Sequence, residues 1–131
     1  MASRTTSSQR AKEIALPRRG DIYLVDFGCR PGSEIEKTRP ALVIQNDVSN
    51  RHSPITIVAA ITLKFDVLPY PTEVVMETAE SGLEQRSVIL LNQVQSVDRR
   101  RLVRRIGRAE GEAMRRVRKG LEISLGVVEI E

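Results

Sequence analysis

Short apolar, β-branched runs recur along the chain, separated by polar segments that contain glycine, proline, asparagine or aspartate. This alternation over a few residues at a time is typical of β-strands. The predicted strands cover residues 21–27, 41–44, 55–61, 72–76, 87–97 and 104–108. The run at 41–44 is apolar without interruption, which predicts a strand buried on both faces.

The last part of the chain follows a different period. Met114, Val117, Leu121 and Leu125 recur every three or four residues, which predicts an amphipathic helix over residues 110–125 with Gly126 as its C-cap. Many short strands followed by one helix indicate a mainly β fold with a C-terminal helix. We therefore predict a small antiparallel barrel with the helix laid across it.

The connecting segments are predicted as loops and turns. Residues 28–37 are too long for a tight hairpin, which favours a mobile or ligand-binding loop. Residues 48–54 and 65–71 are predicted as irregular connections and residues 77–86 as a polar turn. Asp98 is a candidate N-cap for a short helix over 99–103. Residues 1–17 are rich in Ser, Thr and Arg and are expected to form a flexible tail, followed by one domain over 18–131.

Composition narrows the class of protein. The 131 residues with 40% hydrophobic content suffice for one core, and the net charge of +4 favours an anionic partner. Aromatic residues make up 3% of the chain, so stacking platforms for bases are scarce. Cys29 is the single cysteine, which suits a reducing compartment. No signal peptide or membrane-spanning run is present in the sequence, and we expect a soluble cytoplasmic protein.

Several common mechanisms are excluded by residue type. One histidine and one cysteine cannot make a structural zinc site, and no His, Asp or Glu cluster has metal-ligand spacing. A ribonuclease that uses two histidines as acid and base is impossible. No phosphate-binding glycine loop and no nucleophile elbow is present. Neither a metal nor a cofactor is predicted.

A cation and a hydroxyl remain as candidate chemistry. Arg39 precedes Pro40 at the start of one predicted strand, and Thr62 follows the end of the next. If those strands are antiparallel neighbours, the two side chains share one rim of the barrel. Arginine binds phosphate oxygens in a fork, and RNA supplies its own 2′-hydroxyl nucleophile. The alternative is a structural arginine paired with Glu34 or Glu36, and local sequence alone does not decide between them.

With these residues in view, the chain resembles the MazF/PemK family of toxins, the mRNA interferases of type II toxin–antitoxin modules. The resemblance extends from Arg18 to the C-terminus. The matching stretches, in family order, are RRGDIYLVDF, GSE, KTRPALVIQND, ITIVAAIT, YPTEV, SVILLNQVQSVD and GLEISLG.

The resemblance implies an SH3-like, MazF/CcdB-type barrel, a homodimer, and an antitoxin partner of the MazE type with an acidic disordered tail. It implies sequence-selective, metal-independent cleavage of single-stranded mRNA, leaving a 2′,3′-cyclic phosphate and a 5′-hydroxyl. Arg39 and Thr62 match the family's catalytic residues. Ser33 and Gln93 match residues that contact the RNA.

Two features of the sequence qualify this expectation. The family's usual acidic and basic residues around Gln93 are here Asn92 and Gln95, so a mechanism that uses an aspartate at position 92 is not expected. This keeps open the alternative of a barrel that binds RNA without cleaving it. A gyrase poison is a second alternative, because that class of toxin shares the barrel. The basic run from Arg99 to Lys119 is either a solvated face or a surface for phosphates or an acidic antitoxin.

Overall fold

The computed structural model describes residues 16–29, 36–63 and 70–129. Within these residues, six strands and three helices alternate with short turns, together with one turn of 3-10 helix at Arg99–Arg101 before the last strand. The strands are β1 (Asp21–Cys29), β2 (Glu36–Val43), β3 (Ile55–Thr62), β4 (Glu73–Met76), β5 (Ser87–Asp98) and β6 (Leu102–Arg108). The helices are α1 (Asp47–His52), α2 (Thr78–Ser81) and α3 (Glu112–Ser124).

The six strands form one antiparallel sheet in the order β4-β5-β3-β2-β1-β6. The predicted mainly β fold with a C-terminal helix is confirmed. β4 and β6 are the two edges of this sheet, and they approach one another through the turn that follows β4. A Cβ built on Gly107 of β6 would overlap the carbonyl oxygen of Ser81, so the contact requires glycine. This contact places α2, which follows β4, against the edge strand β6.

The strands divide their apolar residues between two clusters because side chains alternate across a sheet. The larger cluster includes Ile22, Leu42 and Ile89 and is covered by Ala113 and Val117 of α3. Gly120 lets the helix lie close to the sheet, since a Cβ there would meet Leu91 Cδ1 at 2.5 Å. The predicted amphipathic helix is therefore a cover for the core.

The smaller cluster lies on the other face of the strands and includes Tyr23, Val25, Ala41, Val43 and Val58. Burial and the nearby carboxylate of Asp21 raise the pKa of Tyr23 above its usual value. The strands β1, β2 and β3 are thus packed on both faces, as the uninterrupted apolar run at 41–44 predicted.

The structure corrects the prediction of a loop at 48–54, because residues 47–52 form helix α1. The helix is only six residues long and shows no apolar period. Polar contacts specify it instead: the Asn46 side chain accepts a hydrogen bond from the Ser49 N–H as N-cap. The buried Asn50 side chain then ties the helix to Gln45 and Thr56.

The other elements begin or end within a few residues of their predicted boundaries. β2 begins at Glu36, inside the predicted loop, and the turn at 77–86 contains the short helix α2. Asp98 caps as predicted, accepting a hydrogen bond from the Arg100 N–H, but β6 begins directly afterwards at Leu102. α3 runs from Glu112 to Ser124 with Leu125 as its C-cap, and Gly126 follows with φ +75°.

No helix within the described residues has the length and apolar character needed to cross a membrane. Residues 1–15, which make up most of the predicted tail, lie outside the described residues, as does most of the predicted connection at 65–71.

Candidate functional site

Arg39 and Thr62 lie at adjacent ends of β2 and β3. The antiparallel ladder pairs Ala41 with Ala60, and the same register continued by two residues sets Arg39 opposite Thr62. The ladder ends at Ala41 because the next residue, Pro40, has no N–H to donate. Directly opposite residues carry their side chains on the same face of a sheet. The structure therefore brings the two predicted residues together on one face.

A cavity of about 790 Å³ opens beside these strand ends, and both Arg39 and Thr62 line it. Its walls come from β1, β2, β3, β6 and the turn after α2. The apolar lining consists of Leu24, Pro40, Ile61, Leu63, Leu83 and Ile106. The polar lining consists of Thr38, Arg39, Thr62, Glu84, Gln85 and Arg104, with Gly82 between the walls. The cavity combines an apolar surface with cationic and hydrogen-bonding groups.

The guanidinium of Arg39 is available to a ligand as far as the described side chains are concerned. Its residue is exposed, and it forms no ion pair with any described side chain. Its cross-strand neighbour on β1 is the buried Val25, which fixes the backbone beneath it. The side chains of Glu34 and Glu36, the alternative structural partners, lie outside the described residues.

Ser33 and Gln93 are the two residues predicted to contact the RNA, and the structure describes only Gln93. Ser33 lies outside the described residues. Gln93 is exposed on β5, where the pairing with β3 jumps from Ala59↔Val94 to Ala60↔Leu90. This bulge leaves residues 91–93 without partners in β3, and such bulges redirect side chains. Gln93 is not among the described residues that line the cavity, so the structure does not bring it to Arg39 and Thr62.

The described residues contain no group of three or more His, Cys, Asp and Glu side chains that could hold a metal ion. The geometry at the strand ends is a positive charge and a hydroxyl beside an accessible, partly apolar cavity. Such an arrangement binds and stabilises an anionic group such as a phosphate.

Comparison with known proteins identifies the family. Residues 18–125 match the model of the PemK-like, MazF-like toxins of type II toxin–antitoxin systems. The chain belongs to this family. It is 43% identical over 112 residues to endoribonuclease EndoA of Bacillus subtilis, covering 86% of this chain and 97% of that protein. It is 41% identical over 110 residues to endoribonuclease MazF of Staphylococcus saprophyticus, covering 84% and 92%.

The toxin is thus an endoribonuclease by class. A solved structure of a mycobacterial endoribonuclease in complex with its cognate antitoxin has the same fold, with a TM-score of 0.73. That similarity covers 87% of this chain and 99% of the other at 21% sequence identity.

The toxin's basic run is largely neutralised within the described residues. Six of its arginines lie within 4 Å of a carboxylate: Arg100 with Asp98, Arg105 and Arg108 with Asp21, Arg115 with Glu112, Arg116 with Glu80 and Arg118 with Glu122. Arg99 and Arg101 donate to the carbonyl oxygens of Asn50 and Asp26. Much of the run therefore has carboxylate or carbonyl partners within the fold.

Asp21 explains why some of these arginines are structural. Its residue is 2% exposed, and Arg108 donates to Asp21 Oδ1 at 2.8 Å. Arg105 and Arg18 lie 3.6 and 3.9 Å from the same oxygen. A buried carboxylate without a cation would be strongly destabilising, so these contacts are needed where β1 meets β6.

Arg104 is the member of the run that lines the cavity. It is exposed and forms no ion pair with any described side chain. The sequence analysis did not single it out. Arg104 pairs with Leu24 on β1, whereas the next residue, Arg105, pairs with Tyr23. This difference between neighbouring arginines depends on the register of the folded sheet and cannot be seen in the sequence.

Proposed function

We propose that the toxin cleaves single-stranded mRNA at a short sequence without a metal ion, by attack of the 2′-hydroxyl on the adjacent phosphorus. The 2′-oxygen forms a bond to phosphorus and gives up its proton, the bond from phosphorus to the 5′-oxygen breaks, and the 5′-oxygen takes up one proton, so that one proton moves net from the 2′-oxygen to the 5′-oxygen. The products are a 2′,3′-cyclic phosphate and a 5′-hydroxyl. Water and an enzyme nucleophile are not needed in this step.

Arg39 is the central residue of this proposal. The pentacovalent phosphorane gains negative charge on its equatorial oxygens, and a guanidinium binds two such oxygens at once. We assign Arg39 to charge stabilisation and not to proton transfer, because a guanidinium does not lose its proton in proteins. Thr62 adds a neutral hydrogen-bond donor from the neighbouring strand.

The observation that supports this assignment most strongly is the register of β2 and β3. It sets Arg39 opposite Thr62 on one face at the edge of an accessible cavity. In-line attack needs the phosphate held in one orientation, and groups carried on paired strands are held more rigidly than groups on loops.

Ser33 and Gln93 are proposed to hold the RNA on either side of this centre. Because Asn92 and Gln95 are neutral, the bulged part of β5 would recognise bases through amide hydrogen bonds and not through charge. Base selectivity then depends on the pairing of amide donors and acceptors with the exposed base edges.

Two protein partners are part of this proposal, a second copy of the toxin and an antitoxin. We propose a homodimer that is inhibited by a MazE-type antitoxin, whose acidic disordered tail would compete with RNA for cationic groups such as Arg39. We expect this activity in the cytoplasm, where mRNA is translated.

The decisive experiment compares the purified wild-type protein, Arg39→Ala and Arg115→Ala on one long defined RNA in the presence of EDTA. Arg39→Ala should lose at least about 100-fold in cleavage rate, as expected for removing the main electrostatic stabiliser. Arg115→Ala should keep wild-type activity, since Arg115 pairs with Glu112 on α3. Circular dichroism checks that both variants are folded.

Cleavage by Arg39→Ala at the wild-type rate would refute the assignment, and dependence on added metal would refute the proposed chemistry. The end groups of the fragments test the 2′-hydroxyl mechanism directly. A gyrase poison would instead inhibit DNA supercoiling and leave the RNA intact. The named endoribonucleases among its relatives favour the nuclease over this alternative and over a barrel that only binds RNA.

A further inference from the structure

The cavity beside Arg39 and Thr62 contains a second cation that the cleavage chemistry does not use. Arg104 lines it from β6 and is not paired with any described carboxylate. Eight other arginines of the basic run lie within 4 Å of a carboxylate or donate to a backbone carbonyl. Arg104 is therefore distinguished from them by its position and by its lack of a described partner.

The strand register gives the spacing between the two cations. Arg104 lies opposite Leu24 on β1, and Leu24 lies opposite Pro40 on β2, the residue next to Arg39. Two interstrand steps of about 4.8 Å each separate the backbones of β6 and β2 by about 10 Å. By this register Arg104 lies on the face of Leu24 and Arg39 on the other face, and both side chains line the cavity at the end of the strands. Because arginine side chains are long and flexible, two guanidiniums that line one cavity can engage neighbouring phosphates of one RNA strand.

Part of the cavity lining is apolar. Leu24 and Ile61 lie on the face opposite Arg39 and Thr62, which is the face of Arg104, and Leu83 and Ile106 also line the cavity. Apolar side chains suit the face of a nucleobase, and Gln85, which lines the same cavity, offers an amide to the base edge. The cavity thus has a part suited to each portion of a nucleotide.

We propose that this cavity is a subsite for one nucleotide next to the cleaved bond, with Arg104 bound to its phosphate and its base on the apolar lining. The proposal rests on the proposed function, since it takes RNA as the ligand and Arg39 as the neighbouring centre. It assigns Arg104 to substrate binding and positioning and leaves the chemical step to Arg39 and Thr62.

The competing explanation is local. Glu84 also lines the cavity, so Arg104 and Glu84 could pair in solution and serve only to keep the turn after α2 against β6. In that case Arg104 would influence stability and would not discriminate among the phosphates of a substrate.

The test is a double-mutant cycle that combines a change in the protein side chain with a change in one phosphate of a short RNA. The RNA contains one mapped cut site. Each phosphate except the cleaved one is replaced in turn by a neutral methylphosphonate, and kcat/KM is measured for the wild type, Arg104→Gln and Arg115→Gln. The two variants lose the same charge, but Arg115 lies on α3 and pairs with Glu112. The wild type and Arg115→Gln should each lose about tenfold at one phosphate beside the cut.

Arg104→Gln should already be about tenfold slower on the unmodified RNA and should lose nothing further at that same position. The deficit should appear in KM more than in kcat. Arg104→Lys keeps the positive charge and should recover part of the lost kcat/KM. Such a recovery would show that the loss in Arg104→Gln comes from the missing charge and not from misfolding. Equal methylphosphonate penalties for Arg104→Gln and the wild type at every position would overturn the proposal.

The experiments distinguish a wrong catalytic assignment for Arg39 from a wrong subsite assignment for Arg104. If Arg39→Ala cleaves normally, the catalytic assignment is wrong whatever Arg104 does. If Arg39→Ala is inactive and Arg104→Gln keeps every phosphate penalty, the subsite alone is wrong.

Discussion

The buried Asn50 side chain offers a sharp test of how the connection between β2 and β3 is held. Its residue is fully buried, and its amide makes hydrogen bonds with Gln45, Asp47 and Thr56. Asn50→Ala removes all of them. Gln45 and Asp47 can turn towards water, but the hydroxyl of Thr56, which is also fully buried, loses its partner on the Asn50 Oδ1 atom.

We expect Asn50→Ala to lower the free energy of unfolding by about 2–3 kcal/mol, most of it from the unpaired buried hydroxyl. For 131 residues, an unfolding entropy of about 2.1 cal/mol/K per residue converts this into a fall of roughly 7–11 °C in Tm. Urea unfolding followed by circular dichroism measures the free energy. All variants must be compared at one protein concentration, because any dimerisation contributes to stability.

The double variant isolates the cause. Thr56→Val should cost about 1 kcal/mol less in the Asn50→Ala background than in the wild type, because the hydroxyl it removes is already unpaired there. A loss below about 0.5 kcal/mol for Asn50→Ala, or simple additivity of the two substitutions, would show that this network does not hold the connection.

Three further predictions follow from single contacts. Gly107→Ala should lower the free energy of unfolding by about 1–3 kcal/mol in urea unfolding, because its Cβ would overlap the carbonyl oxygen of Ser81. A loss below about 0.5 kcal/mol would contradict the close approach. The Arg100 guanidinium and backbone N–H lower the pKa of Asp98 to about 2, so Arg100→Gln should raise that pKa towards 3.8 in an NMR titration. Because the pKa is lowered in the folded protein, the ionised carboxylate stabilises the fold above its unfolded pKa. This stabilisation is lost as the pH falls through about 2. Thr62→Val should reduce kcat/KM for RNA roughly 100-fold while Thr62→Ser keeps most of it, and an unimpaired valine variant would remove the hydroxyl from the mechanism.

Hydrophobic periodicity sufficed for the fold because the strands and the terminal helix bury most of their apolar faces. It failed at α1, where a helix of six residues has too few turns to show an apolar stripe. That helix depends on the Asn46 cap and on buried contacts of Asn50, which join Gln45, just after β2, to Thr56 of β3. Such contacts carry no period, so the sequence indicated only a polar connection.

The candidate site was predicted in part for a related reason. Arg39 and Thr62 stand at the two ends of adjacent strands, so antiparallel pairing alone predicted that they meet. Arg104 is separated from them by more than forty residues and is embedded among other arginines. Its distinction depends on which neighbours find carboxylates, and the pairing of Arg105 and Arg108 with Asp21 emerges only once β6 lies against β1.

The position of Arg39 and Thr62 within the sheet order has a consequence for how the toxin loses and regains activity. β2 and β3 are the two innermost of the six strands, with two further strands outside each of them. We expect amide hydrogens in such strands to exchange with solvent only when most of the domain opens, whereas the edge strands β4 and β6 can open at a lower free energy. We therefore expect a molecule with a loosened periphery to keep the proposed catalytic pair in register, and to lose activity only with the innermost strands.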